Sequence, residues 1–148
     1  MPTVRKSAIV ERSAAAMFAL VDDVERYPEF LPWCTRTQLL ERTDEVTSAR
    51  LHVDYHGLET DFATVNRKFG HERMAIEFAA GPFERFRGEW RFAPLGDDGC
   101  RVEFSLDYAF RSSALEALLG GAFGHIAQTL LESFVERSSL PDAVSGRP

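Results

Sequence analysis

Arg85-Phe86-Arg87-Gly88-Glu89-Trp90-Arg91-Phe92 is the stretch that decides the fold. Charged residues occupy every odd position, and apolar residues or glycine every even one. A period of two marks a strand with one wet face and one buried face. The next run repeats it, with Val102, Phe104, Leu106, Tyr108 and Phe110 on one side and Arg101, Glu103, Ser105 and Asp107 on the other. Between the two runs, Gly96-Asp97-Asp98-Gly99 carries the turn chemistry of a hairpin. The same period extends back through Met74, Ile76 and Phe78, through Phe62, and through Leu51, Val53 and Tyr55. His56-Gly57, Phe69-Gly70-His71 and Gly81-Pro82 punctuate these runs. A further strand, Val4 to Val10, opens the chain.

After Phe110 the period becomes that of a helix. Ser112 or Ser113 can cap it, and Glu116 three residues after Ser113 completes a capping box. Leu115, Leu118, Leu119, Ala122, Phe123, Ile126, Leu130 and Phe134 form one broad apolar stripe. From Ala114 to about Arg137 this helix spans about 36 Å. Ser13 caps a shorter helix over Ala14–Val21, ended by Asp22 and Asp23. A one-faced sheet must cover its apolar side, and only the final helix is long and apolar enough to do so. The expected fold is α+β of helix-grip type: a curved antiparallel sheet wrapped around a long C-terminal helix, with two short helical pieces after the first strand. Residues 1–137 form one domain, and 138–148 read as a flexible tail.

Tyr27-Pro28-Glu29-Phe30-Leu31-Pro32-Trp33-Cys34 packs three aromatics and two prolines into one corner. Each proline fixes φ and biases its predecessor, Tyr27 or Leu31, toward an extended conformation. Such a knot either plugs the end of a core or forms the rim of a ligand cavity. Glu29, alone among the aromatics, is a carboxylate with either a raised pKa or a capping and solvent-exposed role. Deeper in, Phe62, Phe78, Phe86, Trp90, Phe104, Leu106 and Tyr108 confront Leu118, Leu119, Phe123, Ile126 and Leu130. Periodicity alone does not distinguish a dense core from the lining of a deep apolar pocket.

With 148 residues and a net charge of −6, the chain suits polyanions only through a local basic patch, and DNA is not an expected partner. Arg85, Arg87, Arg91 and Arg101 make that patch, interrupted by Glu89 and Glu103. They are either cross-strand ion-pair partners or a docking site for an acidic partner. His52 and His56, four apart on a strand, are too distant to share a metal. No catalytic residues and no metal ligands are assigned. The two cysteines, Cys34 and Cys100, fit a reduced compartment and small buried roles. Met1 to Lys6 lead into no signal peptide, and the apolar run Ala14–Val21 is far short of a membrane span. A cytoplasmic protein, peripheral at most to the inner membrane, is expected.

The knot, taken with Gly81-Pro82-Phe83-Glu84-Arg85-Phe86-Arg87-Gly88-Glu89-Trp90-Arg91-Phe92 and Cys100-Arg101-Val102-Glu103-Phe104, resembles the coenzyme Q-binding START-domain proteins. That group includes bacterial ribosome association toxins of the RatA type and falls within the polyketide cyclase/dehydrase and lipid-transport superfamily. The resemblance covers about Val4 to Arg137. It implies a cavity between sheet and C-terminal helix that holds a polyprenylated quinone or similar lipid. By the same resemblance Tyr27, Pro28, Phe30, Leu31, Pro32 and Trp33 form the rim, and Gly81, Pro82, Phe83, Gly88, Trp90 and Phe92 belong to a wall strand. Ala79-Ala80 and the Ser138-Ser139-Leu140-Pro141 finish depart from the family pattern, the latter by lacking a longer basic end. The leading expectation is non-enzymatic binding or delivery of a ubiquinone-like lipid in support of respiration, with no cofactor required and transient contact with membrane or respiratory enzymes. Inhibition of ribosomal subunit association through the large subunit is the alternative. Aromatic polyketide cyclase activity comes third, for want of an acid–base pair.

Overall fold

The computed structural model describes residues 3–140. Strand β1 (Thr3–Val10) is followed by α1 (Ala14–Asp22) and a 3-10 helix (Val24–Glu29). Six strands then run in succession: β2 (Cys34–Arg42), β3 (Val46–Tyr55), β4 (Leu58–Phe69), β5 (Arg73–Ala80), β6 (Phe83–Pro94) and β7 (Cys100–Phe110). Helix α2 (Ser113–Ser138) closes the chain. All strands form one antiparallel sheet in the order β1-β7-β6-β5-β4-β3-β2. A meander from β2 to β7, with β1 returning to pair with β7, leaves one concave apolar face, which α2 covers. This is the helix-grip arrangement.

The alternation in β6 and β7 becomes register. Trp90 sits opposite Phe104, Gly88 opposite Leu106, and Phe86 opposite Tyr108. Gly88 is required by the closeness of its neighbours. A Cβ there would lie 2.9 Å from the Ser105 carbonyl oxygen and 3.1 Å and 3.2 Å from the ends of Ile76 and Leu106. Gly81 is required by its backbone, at φ 142°, and by Phe62, whose Cβ would be 2.7 Å from an added one. Helix α2 lies closest to β1 and β7. Over the middle strands, long side chains bridge the gap between helix and sheet.

Several local expectations are corrected. Ser112, not Ser113, is the N-cap of α2 and accepts from the Leu115 amide, so Glu116 completes no capping box. Tyr27 and Pro28 lie inside the 3-10 helix rather than in extended chain, because proline's fixed φ also suits a helical turn. His56 is in the β3–β4 turn at φ 51°, off the strand that carries His52. The stripe on α2 is narrower than expected: Leu119, Phe123, Ile126, Ala127, Leu131 and Phe134 are buried, while Leu118 is 58% exposed. Leu119 is in phase with Phe123 four residues on, whereas Leu118, turned about 100° from Leu119, falls outside the stripe that Leu119, Phe123, Ile126 and Phe134 set. Ser138 ends α2 as a buried residue whose carbonyl accepts from Arg12 Nε at 2.7 Å. It therefore belongs to the folded body, and the remainder of the expected tail beyond Leu140 lies outside the described residues.

Gly88→Ala should destabilise the protein by about 1–3 kcal/mol through overpacking against the β7 backbone. Gly121→Ala, where an added Cβ meets nothing within 4 Å, should stabilise by about 1 kcal/mol through helix propensity. Denaturant unfolding of both variants checks this; equal effects would contradict the packing described.

Candidate functional site

The aromatic knot is fastened to the end of α2. Phe30 meets Phe134 edge-on at 5.2 Å, and Tyr27 meets Phe134 at 5.3 Å. The Tyr27 hydroxyl donates to the Val21 carbonyl, and burial pushes its pKa up. Arg137 lies over the Phe30 ring and donates to the Glu29 carboxylate, which also pairs with Arg26. Desolvation works against ionisation of Glu29, but the hydrogen bonds from Arg137 and Arg26 outweigh it. Its pKa is lowered, the reverse of a raised, acid-like carboxyl. Leu31 is fully buried in the core, and Pro28 and Pro32 are exposed.

Behind the knot, a cavity of about 80 Å³ lies between the sheet and α2. Tyr27 and Trp33 close one end of it, and Phe62, Phe86, Trp90, Phe104 and Leu106 line the sheet side. Phe123, Ile126, Leu130 and Phe134 line the helix side. A second hollow of about 20 Å³ adjoins it, sharing Phe62, Phe123 and Ile126 and reaching Phe83 and Leu119. Trp33 also faces outward, into an open groove of about 440 Å³ with Pro32, Tyr55, His56 and His125. One indole therefore separates interior from groove.

Other expected site residues lie elsewhere. Phe78 packs on Phe83 and Phe86, and Phe92 stacks on Trp90 and meets Phe18 edge-on; neither lines the cavity. Tyr108 is buried against Phe83, Phe110 and Phe123 and also lies outside the lining. Burial raises the pKa of its hydroxyl. Leu118 points away from the interior and takes no part. Thr64 and Asn66 are the lining residues that strand alternation should have exposed, since they continue the inward phase of Phe62 along β4. Val24, Leu51, Ile76 and Ala127 also join the lining.

Much of this interior is close-packed. Phe123 meets the rings of Phe62, Phe83, Phe86, Tyr108 and Phe110 at centroid distances between 4.8 and 6.2 Å. Cys34 and Cys100 are buried free thiols, Cys34 with its pKa pushed up to about 11 by burial. Among the described residues no cluster of His, Cys, Asp or Glu has metal-ligating geometry. No helix among them is long and apolar enough to cross a membrane.

On the outer face of the sheet, Arg85, Arg87 and Arg91 of β6 and Arg101 of β7 stand exposed. Arg5 of β1 joins that face through its pairing with Ser105. Glu89 takes Arg73 at 2.8 Å and Arg91 at 2.9 Å. Partial burial disfavours its charge, but these hydrogen bonds prevail and its pKa is lowered. Among the described residues Arg85, Arg87 and Arg101 form no ion pair.

Phe123→Ala should cost about 3–5 kcal/mol, the loss typical of a packed aromatic. Leu118→Ala should change stability by less than about 0.5 kcal/mol. Chemical denaturation of the two variants checks this, and a small loss at Phe123 would mean that its side is already open.

Residues 10–135 match the family described as polyketide cyclase / dehydrase and lipid transport. The chain is 35% identical over 138 residues to Ribosome association toxin RatA of Escherichia coli K12, covering 93% of this chain and 87% of the toxin. It is 25% identical over 137 residues to Coenzyme Q-binding protein COQ10 homolog B of Xenopus laevis, covering 90% of this chain and 56% of that protein. A solved 18 kDa protein from Caulobacter crescentus shares 30% identity at a TM-score of 0.70, with 99% of this chain and 100% of that one covered. A seven-stranded sheet gripping one long helix, matched along nearly its whole length, makes the chain a START-like member of the polyketide cyclase/dehydrase and lipid-transport family.

Proposed function

We propose that this protein works by binding a small hydrophobic ligand, a ubiquinone-like prenylated lipid, which it sequesters or delivers without transforming it. The observation that carries this reading is the cavity under α2, lined by aromatic and aliphatic side chains and separated from an open groove by Trp33. A flat, weakly polar ring is matched in chemistry by the indoles of Trp33 and Trp90 in the cavity wall, and an isoprenoid tail gains about 25 cal/mol per Å² of apolar surface buried. On this reading the head group rests against Trp33 and Trp90, because Tyr108 lies outside the lining. At about 80 Å³ the cavity is smaller than the one of about 150 Å³ that admits benzene. Entry of a ring therefore requires the lining to yield. Phe62 and Phe123 stand between the two hollows, and turning their rings would join them. On this reading the protein is cytoplasmic, needs no cofactor and meets a membrane surface or respiratory enzyme only in passing.

Because both indoles line the cavity, a short-tailed ubiquinone should quench tryptophan fluorescence saturably in Trp33→Phe and in Trp90→Phe alike. A charged, water-soluble quinone should give only linear, collisional quenching. Linear quenching by both quinones would overturn the quinone assignment.

A second reading, association with the large ribosomal subunit, has its own support. The relative named as a ribosome association toxin is 35% identical, against 25% for the coenzyme Q-binding one. Arg85, Arg87 and Arg101, which form no ion pair among the described residues, also make a basic patch on a chain of net charge −6, and such a patch suits phosphate groups. Co-sedimentation with purified large subunits should then fall sharply in the Arg85→Glu/Arg87→Glu variant and with added salt, while Trp90→Phe should leave it unchanged. Undiminished co-sedimentation of the double variant would exclude this face as the contact. Cyclase activity has no comparable observation in its favour.

A further inference from the structure

The open groove of about 440 Å³ borders both internal spaces. Trp33 is shared between the groove and the cavity of about 80 Å³, and Tyr55 between the groove and the hollow of about 20 Å³. Three elements wall it. The knot supplies Pro32 and Trp33, and the Trp33 carbonyl accepts from the Asp54 amide at 2.9 Å, which ties the knot to β3. The β3–β4 turn supplies His56 and is held by the Asp54 carboxylate, which accepts from the Gly57 amide at 3.0 Å. Helix α2 supplies His125, Thr129 and Ser133, spaced by four and so on one face. The Thr129 and Ser133 hydroxyls donate to the carbonyls of His125 and Thr129 at 2.9 and 3.2 Å. The Tyr55 ring stands between the two imidazoles, its centroid 4.5 Å from that of His56 and 5.6 Å from that of His125.

An aromatic wall that carries imidazole N–H donors suits a flat neutral ring with acceptor oxygens. No Lys or Arg lines the groove, so an anionic ring would find no counter-charge there. The groove also has room where the cavity does not. A space of about 150 Å³ admits benzene; the cavity falls short of that, and the groove exceeds it with no side chain moved. We infer that the groove is a docking site for the ring of the ligand, filled before the cavity, and that Trp33 is the gate between the two. This rests on the quinone reading and adds the route by which the ring arrives. Tyr55 leads to the smaller hollow, which holds no ring. Trp33 leads to the larger cavity, and its indole is only 6% exposed, so it must turn aside for a docked ring to pass.

Stopped-flow fluorescence with a short-tailed ubiquinone tests this, because Trp33 and Trp90 are the two tryptophans of the chain. In Trp90→Phe, where Trp33 reports, quenching should show a fast phase whose rate rises linearly with quinone and a slower phase whose rate saturates. In Trp33→Phe, Trp90 reports from the cavity and does not border the groove; the slow phase alone should appear, and it should be faster than in Trp90→Phe because the gate is smaller. Thr129→Arg in the Trp90→Phe background puts a long side chain into the groove and should remove the fast phase while leaving the final extent of quenching unchanged. His125→Ala in the same background takes one ring from the wall and should raise the half-saturating quinone concentration about threefold, the ratio one aromatic contact supplies. His125 is exposed, so this variant decides the matter if Thr129→Arg fails to fold. A single phase in Trp90→Phe, a fast phase that survives Thr129→Arg, or a half-saturation unmoved by His125→Ala would overturn the groove site and, with quenching still saturable, leave the quinone reading standing. Quenching that saturates in none of these proteins overturns both.

Discussion

The aromatic face of the sheet has to be kept from water, and α2 is what keeps it so. Each large side chain on that face contributes about 1.5–3 kcal/mol when fully buried. Phe62, Phe86, Trp90, Phe104 and Leu106 gain that burial only because Phe123, Ile126 and Phe134 stand opposite. The helix backbone comes closest to the sheet at β1 and β7. Elsewhere side chains must span the distance, and where they do not quite meet, a cavity remains. The hollow is thus a consequence of how a single helix covers a wide curved sheet.

The knot at residues 27–34 makes this geometry hold at one end. Glu29 and Arg137 link it to the last turn of α2, and Tyr27, Phe30 and Phe134 form an aromatic cluster beneath that link. Arg12 adds a second tether at the same end, bonded to the Ser138 carbonyl. Plug and rim are therefore not exclusive roles. Leu31 is buried core, while Trp33 borders both the cavity and the outer groove. A movement that admits a ligand must pass through these contacts or through the rings of Phe62 and Phe123.

The strands β3 to β7 and the long helix were legible because one buried face imposes a period of two on strands and a stripe on helices. What was not legible followed from side chains acting locally. Leu118 and Leu119 are both apolar, and only the helix phase set by Phe123, Ile126 and Phe134 decides that Leu118 faces water. Pro28 pointed to an extended Tyr27, yet proline's φ also fits the 3-10 turn that holds both residues. The cavity wall at Thr64 and Asn66 carries no apolar signal, because both residues are polar although they face inward. Counting inward positions onward from Phe62 would have found them. Whether a row of inward aromatics encloses a core or a cavity depends on distances that alternation does not carry.

A prenylated lipid in the space between sheet and α2, as proposed, would travel with the protein through a gentle purification. Native mass spectrometry of protein purified without detergent from a quinone-producing cell, followed by organic extraction of the same sample, tests it most directly. The account predicts a substoichiometric population carrying one added mass, recovered in the extract as a prenyl quinone. Repeated recovery of the bare protein alone, with no prenylated or acyl species in the extract, would contradict it.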